Sequence, residues 1–264
     1  IFLKNGFEIT MTLDTEMFDE TAKYEGNGSE NSNFLAEKSL LEEKLMDVNF
    51  GDLDEQGLDQ TFVGIKSEIV AFINASKGLD TMVTNTSLRN VDGMIEGNKV
   101  YFAGILAMKK ALPKGAPSPT FEGFENYNGG ETSMGDLKGK YAYIDVWATW
   151  CGPCKAEIPA LKELEKDYHG KNIQFVSMSI DDDRSHKGSW DLARQDWKAM
   201  VADKELGGIQ IFAPKGWETK FVQEYKIKGI PRFILIDPNG NIVNASAPRP
   251  SDPALRIMFD ELMM

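Results

Sequence analysis

The chain has 264 residues, 42% of them hydrophobic and 27% charged, and its net charge is −12 at pH 7. This length and composition suit one large globular domain or two ordinary ones, and the acidic balance argues against a surface for nucleic acids or anionic membranes. No run of about 18 apolar residues occurs, so the sequence predicts no membrane-spanning helix.

The first part of the chain carries a strand pattern followed by helix patterns. Residues 7–13 alternate apolar and polar side chains, which is typical of a half-buried strand, and Asn5-Gly6 predicts a turn back to a strand over residues 1–4. Because that strand is short and the chain starts at Ile1 instead of Met, we expect this α+β domain to be truncated at its start. No signal peptide is visible. Apolar side chains at helical spacing predict two or three helices over residues 30–112.

A loop-like stretch, KGAPSP at residues 114–119, separates this part from the rest. Its Pro, Gly and Ser content predicts a linker, and the hydrophobic period changes after it. We therefore place a boundary near residue 115, between an N-terminal domain of unassigned role over residues 1–115 and a second domain over residues 116–264.

The second domain alternates strand and helix patterns. The predicted elements are, in chain order, strand 141–147, helix 151–168, strand 173–180, helix 189–202, strand 209–212, helix 217–225, a hairpin of strands 233–236 and 242–245, and a helix that starts at Asp252-Pro253. This order predicts an α/β domain with a mixed central sheet and helices on both faces.

Both cysteines lie in one stretch, DVWATWCGPCKAEIP at residues 145–159. A structural zinc site needs about four ligands, whereas this chain has one cysteine pair and two histidines outside any ligand spacing. A disulfide that closes so short a loop removes little chain entropy, so it is a poor structural staple. Redox chemistry remains as the leading hypothesis.

The position of the pair at a helix start assigns the two cysteines different roles. The free amides and the dipole at a helix N-terminus favour a thiolate at Cys151. Cys154, one turn further on, is placed to attack the sulfur of Cys151 and so resolve a mixed disulfide. Gly152 and Pro153 suit the turn into the helix, where a missing amide hydrogen does no harm.

Two carboxylates lie among apolar residues near the pair. Asp145 is the only charge in its predicted strand, and Glu157 aligns with the apolar stripe of its helix. Burial of an unpaired carboxylate raises its pKa, so either group could exchange the proton of the Cys154 thiol. Two alternatives stay open: a hydrogen-bonded structural Asp145, and a Glu157 that is a surface charge near the helix N-terminus.

The stretches YIDVWATWCGPCKAEIP and GIPRFILIDPNGNI together resemble a known family, the TlpA/ResA-like thiol–disulfide oxidoreductases of bacterial envelopes, which have the thioredoxin fold. The resemblance covers about residues 116–264. The N-terminal part resembles, more weakly, the extra domain of Bacteroidetes-type envelope thioredoxins, and that likeness implies no role for it.

The resemblance implies roles for residues on both sides of the pair. Cys151 would be the exposed, attacking cysteine and Cys154 the buried, resolving one. Pro231 would be a cis-proline that faces the pair, and Ile230 would offer backbone bonds to a bound substrate. Trp150 matches the aromatic residue that precedes the first cysteine, next to Gly152 and Pro153.

The resemblance also bears on the two acids. Asp145 matches the buried acid of thioredoxins, and Glu157 matches the acid of the TlpA/ResA-like branch, so the choice between them as proton carrier stays open. Arg232 stands where the family commonly has Thr after the cis-proline. Contacts between this position and substrate are therefore expected to differ from the family's.

The leading functional hypothesis is an enzyme that reduces protein disulfides, since Gly-Pro between the cysteines resembles thioredoxin more than it resembles the oxidant enzymes. The alternatives are a disulfide isomerase dimerised by the N-terminal domain, and an envelope binding module on an inert thioredoxin scaffold. A peroxidase fits poorly, because the residues it needs before the cysteine are replaced by Ile144 and Ala148.

The expected partners are client proteins with disulfides or thiols and an upstream redox partner such as a membrane thiol reductase, with no nucleic acid. No cofactor or metal is expected beyond the redox-active disulfide Cys151–Cys154. The expected location is the periplasm or the outer cell envelope, with membrane anchoring through a missing N-terminus.

Overall fold

A computed structural model of the protein describes residues 1–50 and 53–263. The chain separates into two units, Ile1–Ala107 and the residues from Met108 onward. This division falls inside a helix, earlier than the boundary that the sequence predicts near residue 115.

The reason for the difference lies in the backbone of the predicted linker. Gly115 N–H donates to the Ile242 carbonyl at 2.7 Å, and Ile242 N–H donates to the Ala116 carbonyl at 2.8 Å. Ser118 N–H donates to the Gly240 carbonyl at 3.0 Å. The stretch is a loop, as predicted, but it is hydrogen-bonded into the C-terminal unit.

The N-terminal unit is a strand pair followed by long helices. Its elements are β1 (Glu8–Thr12), α1 (Phe18–Thr21), β2 (Lys23–Asn27), α2 (Ser29–Met46), α3 (Glu55–Ala75) and most of α4 (Thr81–Ala111), whose last turn belongs to the second unit. β1 pairs antiparallel with β2, and the described residues 1–4 form no strand. The prediction of a strand there is wrong, because the turn at Asn5-Gly6 leads into β1 from an irregular segment.

Helix α3 shows why this unit holds together. The Asp54 side chain caps its start by accepting a hydrogen bond from Gly57 N–H at 2.7 Å. Its buried side chains repeat every three or four residues and form one face, namely Leu58, Phe62, Ile65, Ile69 and Ile73. These residues form a core with apolar residues of α2 and α4.

The C-terminal unit is a mixed sheet covered on both faces. Its elements are β3 (Phe124–Asn126), β4 (Glu131–Thr132), β5 (Tyr141–Trp147), α5 (Gly152–Asp167), β6 (Ile173–Ser179), α6 (Trp190–Asp203), β7 (Ile209–Phe212), α7 (Lys220–Glu224), β8 (Arg232–Ile236), β9 (Ile242–Asn244) and α8 (Pro253–Met263), with 3₁₀ turns at Met134–Leu137 and Gly216–Glu218. Over the described residues the strand order is β4-β3-β7-β6-β5-β8-β9. The α/β prediction with a mixed sheet is confirmed.

Strand β5 lies in the middle of this sheet and carries the site. It pairs parallel with β6 and antiparallel with β8. One of its faces contributes Ile144 and Val146 to a large core, and the other contributes Tyr143, which packs with residues of α5 and α8. A strand covered on both faces is almost wholly apolar, so Asp145 is its exception. In the described part of the chain, no helix is long and apolar enough to cross a membrane.

Candidate active site

The two cysteines lie where β5 passes into α5. Cys151 is the N-cap residue of α5, and its Sγ accepts a hydrogen bond from Cys154 N–H at 3.1 Å. Cys151 N–H donates to the Ala148 carbonyl at 3.0 Å, which closes the turn between strand and helix. A disulfide joins Cys151 to Cys154. The helix amide that contacts Cys151 Sγ is the kind of donor that stabilises a thiolate.

The exposure of the pair differs from what the resemblance implies. Cys151 is 3% exposed and Cys154 is 5% exposed, so the prediction that Cys151 is the exposed member is wrong for this oxidised state. Both cysteines belong to the same buried core as Ile144 and Val146 of β5. The residues next to them in the chain supply the surface instead, since Trp150, Gly152 and Pro153 are all exposed.

The segment before β8 reaches the same end of the sheet. The Ile230–Pro231 peptide bond is cis, and Ile230, Pro231 and Arg232 are half-buried. β8 begins at Arg232, which pairs with Val146 near the end of β5. Because β8 runs antiparallel to β5, the residues just before it lie at the edge from which the cysteine turn departs. The Arg232 guanidinium also lies 3.2 Å from the Met108 sulfur.

Asp145 is a carboxyl in apolar surroundings. Its neighbours across the sheet are Ser177 on β6 and Phe233 on β8. The residue as a whole is half-buried, but its Oδ1 atom is covered and has no hydrogen-bond partner among the described residues. Burial, and then the negative charges of Glu157 and Glu165, raise the pKa of Asp145 to about 8. Asp145 therefore keeps its proton at neutral pH.

Glu157 lies on the buried stripe of α5, as its spacing predicts, and is 7% exposed. Its oxygens accept hydrogen bonds from Ser251 N–H and Ser251 Oγ, both at 2.9 Å. The Arg249 guanidinium lies 3.6 Å from the same carboxylate. Glu157 is thus bound to the segment before α8, and its charge acts on Asp145.

Sequence reasoning missed a buried network that holds the cysteine turn. Asp181, 0% exposed, follows β6. Thr149 N–H donates to its two oxygens at 3.0 and 3.1 Å, Thr149 Oγ1 donates at 2.6 Å, and Ser179 Oγ donates at 2.7 Å. His186 Nε2 lies 3.5 Å from the same carboxylate. Burial raises the pKa of Asp181, against the hydrogen bonds from Thr149 and Ser179 that lower it.

A signal for this network existed in the sequence. The acidic run Asp181–Asp183 directly follows the predicted strand 173–180, and the parallel pairing of β6 with β5 brings the ends of both strands to one edge of the sheet. The sequence pattern does not reveal the neighbour of Trp150, because it predicts Trp217 only as part of a helix. Its ring centroid lies 6.5 Å from that of Trp150. Across the described residues, no group of His, Cys, Asp and Glu side chains could hold a metal ion.

Comparison with known proteins gives the family. The family described as Redoxin matches residues 113–256, more than half of the chain. Among similar proteins is the thiol-disulfide oxidoreductase ResA of Oceanobacillus iheyensis, 29% identical over 175 residues, which covers 65% of this chain and 78% of that protein. ResA of Bacillus subtilis is 24% identical over 147 residues, which covers 56% of this chain and 74% of that protein.

Solved structures resemble the C-terminal part. The solution structure of a candidate thiol-disulfide oxidoreductase from Bacteroides vulgatus is 48% identical, covers 57% of this chain and 91% of that chain, and superposes with a TM-score of 0.46. The thioredoxin domain of another Bacteroides vulgatus thiol-disulfide oxidoreductase is 26% identical, covers 58% of this chain and 99% of that chain, and has a TM-score of 0.49.

The family match spans the sheet, the cysteine turn and the cis-proline segment. The chain therefore belongs to the redoxin family, within which it is a TlpA/ResA-like, thioredoxin-fold dithiol–disulfide oxidoreductase.

Proposed function

We propose that this oxidoreductase reduces the disulfides of client proteins. The observation that carries the proposal is the Cys151–Cys154 disulfide at the N-terminus of α5, where Cys154 N–H points at Cys151 Sγ from 3.1 Å. In the reduced protein this donor and the helix dipole favour a thiolate at Cys151 near neutral pH. A thiolate is the form that attacks a disulfide.

The thiol–disulfide exchange takes two steps, and together they transfer two electrons. Cys151 thiolate attacks one sulfur of the client disulfide, a Cys151–client disulfide forms, and the other client sulfur leaves as a thiolate. Cys154, once deprotonated, attacks Cys151 Sγ and releases the second client thiolate. Two electrons pass from the enzyme dithiol to the client, and the enzyme is left with the Cys151–Cys154 disulfide.

Asp145 is suited to transfer a proton in the second step. A carboxyl with a pKa of about 8 exchanges protons near the pH at which a thiol must ionise. Glu157, whose oxygens are bound to Ser251, acts on that step through its charge. We therefore propose that the ionised minority of Asp145 takes the proton of Cys154, and that the negative charge of Glu157 tunes the pKa of Asp145.

Client contacts are assigned to the surface around the pair. Trp150, Gly152 and Pro153 are exposed on one side of it. Ile230 and Arg232 flank the cis-proline, and Ile230 would offer its backbone to an extended client segment. The chemistry needs no cofactor besides the cysteines.

The cycle also requires partners. A dithiol donor upstream, such as a membrane thiol reductase, must return two electrons to the disulfide. We place the protein in the periplasm or outer envelope of a bacterium, because its resemblance is to envelope oxidoreductases. Fractionation of the source cells with an antibody to this chain tests the location, and recovery in the cytosolic fraction would contradict it.

The proposal is tested with insulin reduction by the full chain and two variants. Cys151→Ser should abolish activity, whereas Cys154→Ala should abolish turnover but leave Cys151 joined to clients as stable mixed disulfides that mass spectrometry identifies. A reduction potential close to that of strong oxidants, about −120 mV, would refute the reductase direction. Recovery of no mixed disulfides from envelope extracts would refute the client proposal.

A further inference from the structure

Two tryptophans lie together beside the disulfide. Trp150, directly before Cys151, is 43% exposed. Its ring centroid is 6.5 Å from that of Trp217, and the ring planes are inclined by 32°. Trp217 is half-buried and packs on the core below it. By contrast, Trp147 and Trp197 are almost fully buried, so the accessible indole pair lies next to the redox site.

The backbone determines where Trp217 lies. It belongs to the 3₁₀ turn Gly216–Glu218, and Gly216 has a φ of +49°. A Cβ at Gly216 would lie 2.9 Å from Asp182 Cβ and 3.1 Å from the Ile180 carbonyl oxygen. Only glycine lets the turn approach the loop after β6 this closely. The turn that carries Trp217 therefore packs directly on that loop.

The same loop holds Trp150. Asp181 lies between the two residues that Gly216 contacts, and it accepts the hydrogen bonds of Thr149 N–H and Oγ1. Thr149 is the residue directly before Trp150. Both indoles are therefore attached to segments that converge on one buried loop, which keeps their mutual position without requiring a bound client.

We infer that Trp150 and Trp217 form a docking surface for an extended client segment with an aromatic side chain next to its reactive cysteine. The inference deepens the proposed function and rests on it. A client sulfur must reach Cys151, which is 3% exposed. The client chain must therefore lie on the exposed neighbours of Cys151, of which Trp150 has the largest apolar side chain.

The spacing of the rings supports this occupant. An extended chain advances about 3.3 Å per residue, so the 6.5 Å between the ring centroids corresponds to about two residues of client. A side chain one or two positions from the client cysteine would reach the pair. Aromatic rings gain from offset or edge contacts beyond the apolar area they bury, so an aromatic client side chain fits better than a small polar one.

The test uses two synthetic peptides, each with one intrachain disulfide, that differ only in Phe or Ser directly after one cysteine. The reduced full-length protein is mixed with each peptide, and the second-order rate of disulfide reduction is measured. We expect the wild type to prefer the Phe peptide and Trp217→Ala to lower the Phe-to-Ser rate ratio by about two- to tenfold, as expected for the loss of an aromatic contact. Trp217→Phe should keep most of the ratio.

Trp190→Ala is the matched control. Trp190 is also half-buried and packs on the same core, but among the described residues it makes no ring contact with Trp150. A loss of the ratio in Trp190→Ala equal to that in Trp217→Ala, or an unchanged ratio in Trp217→Ala, would overturn the inference. Failure of the wild type to reduce either peptide would instead overturn the proposed function, and the inference with it.

Discussion

Replacing Asp145 by Asn should stabilise the protein increasingly as the pH rises. Below the ordinary carboxyl pKa of 3.8, Asp145 is protonated in both the folded and the unfolded state. Above that pH the unfolded chain ionises, whereas burial keeps folded Asp145 neutral up to its pKa of about 8. The unfolded state is therefore favoured progressively between these two values. Asn resembles the neutral acid in shape and does not ionise, so it removes this dependence.

The size of the effect follows from the pKa difference. One pKa unit corresponds to roughly 1.4 kcal/mol, so the cost of Asp145 grows by at most about 3 kcal/mol between about pH 5.5 and 7.5. The residue keeps some contact with water, which weakens the effect. We expect the free energy of unfolding gained by Asp145→Asn to be about 1–3 kcal/mol larger at the higher pH.

Urea unfolding of the oxidised protein measures this gain. Every tryptophan of the chain lies beyond residue 146, so tryptophan fluorescence reports on the C-terminal unit alone. Glu163→Gln, an exposed acid on the same helix as Glu157, is the matched control and should show no comparable pH-dependent gain. A gain for Asp145→Asn that is constant, or that falls with pH, would show that Asp145 is ionised in the folded protein.

Two further changes test the surroundings of the pair, and a third tests the backbone at the opposite end of the sheet. Asp181→Asn cannot accept all the hydrogen bonds of the cysteine turn, so we expect a lower melting temperature in thermal unfolding. An unchanged melting temperature would show that the fold does not depend on these hydrogen bonds. Glu157→Gln removes a negative charge that raises the pKa of Asp145. The pKa of Asp145, measured by NMR of its carboxyl group, should therefore fall. A rise would contradict the coupling between the two acids. Gly208 has a φ of +63°, and Gly208→Ala would place a Cβ 2.7 Å from a carbonyl oxygen of β6. This substitution should lower the free energy of unfolding, measured in urea, by about 1–3 kcal/mol. A smaller loss would show that the backbone relaxes.

Much of the C-terminal unit could be predicted from local patterns. The strand predicted over residues 141–147 has those bounds, and helix α5 begins and ends within one residue of its prediction. Such patterns succeed because they reflect contacts within a few residues along the chain. The strand predicted over residues 1–4 failed, since a turn signal shows where a chain reverses but not which segments then pair; β1 pairs with β2 instead.

The sequence by itself determined the chemistry of this protein. The spacing of Cys151 and Cys154 and their place at a helix start depend on one turn of helix, which the chain specifies locally. Only the tertiary structure decided the surroundings of the pair: the burial of Cys151, the hydrogen bonds from Thr149 to Asp181, 32 residues away, and the contact between Trp150 and Trp217. These partners meet because β5 and β6 pair in parallel and end at one edge of the sheet, and local patterns do not specify which strands become neighbours.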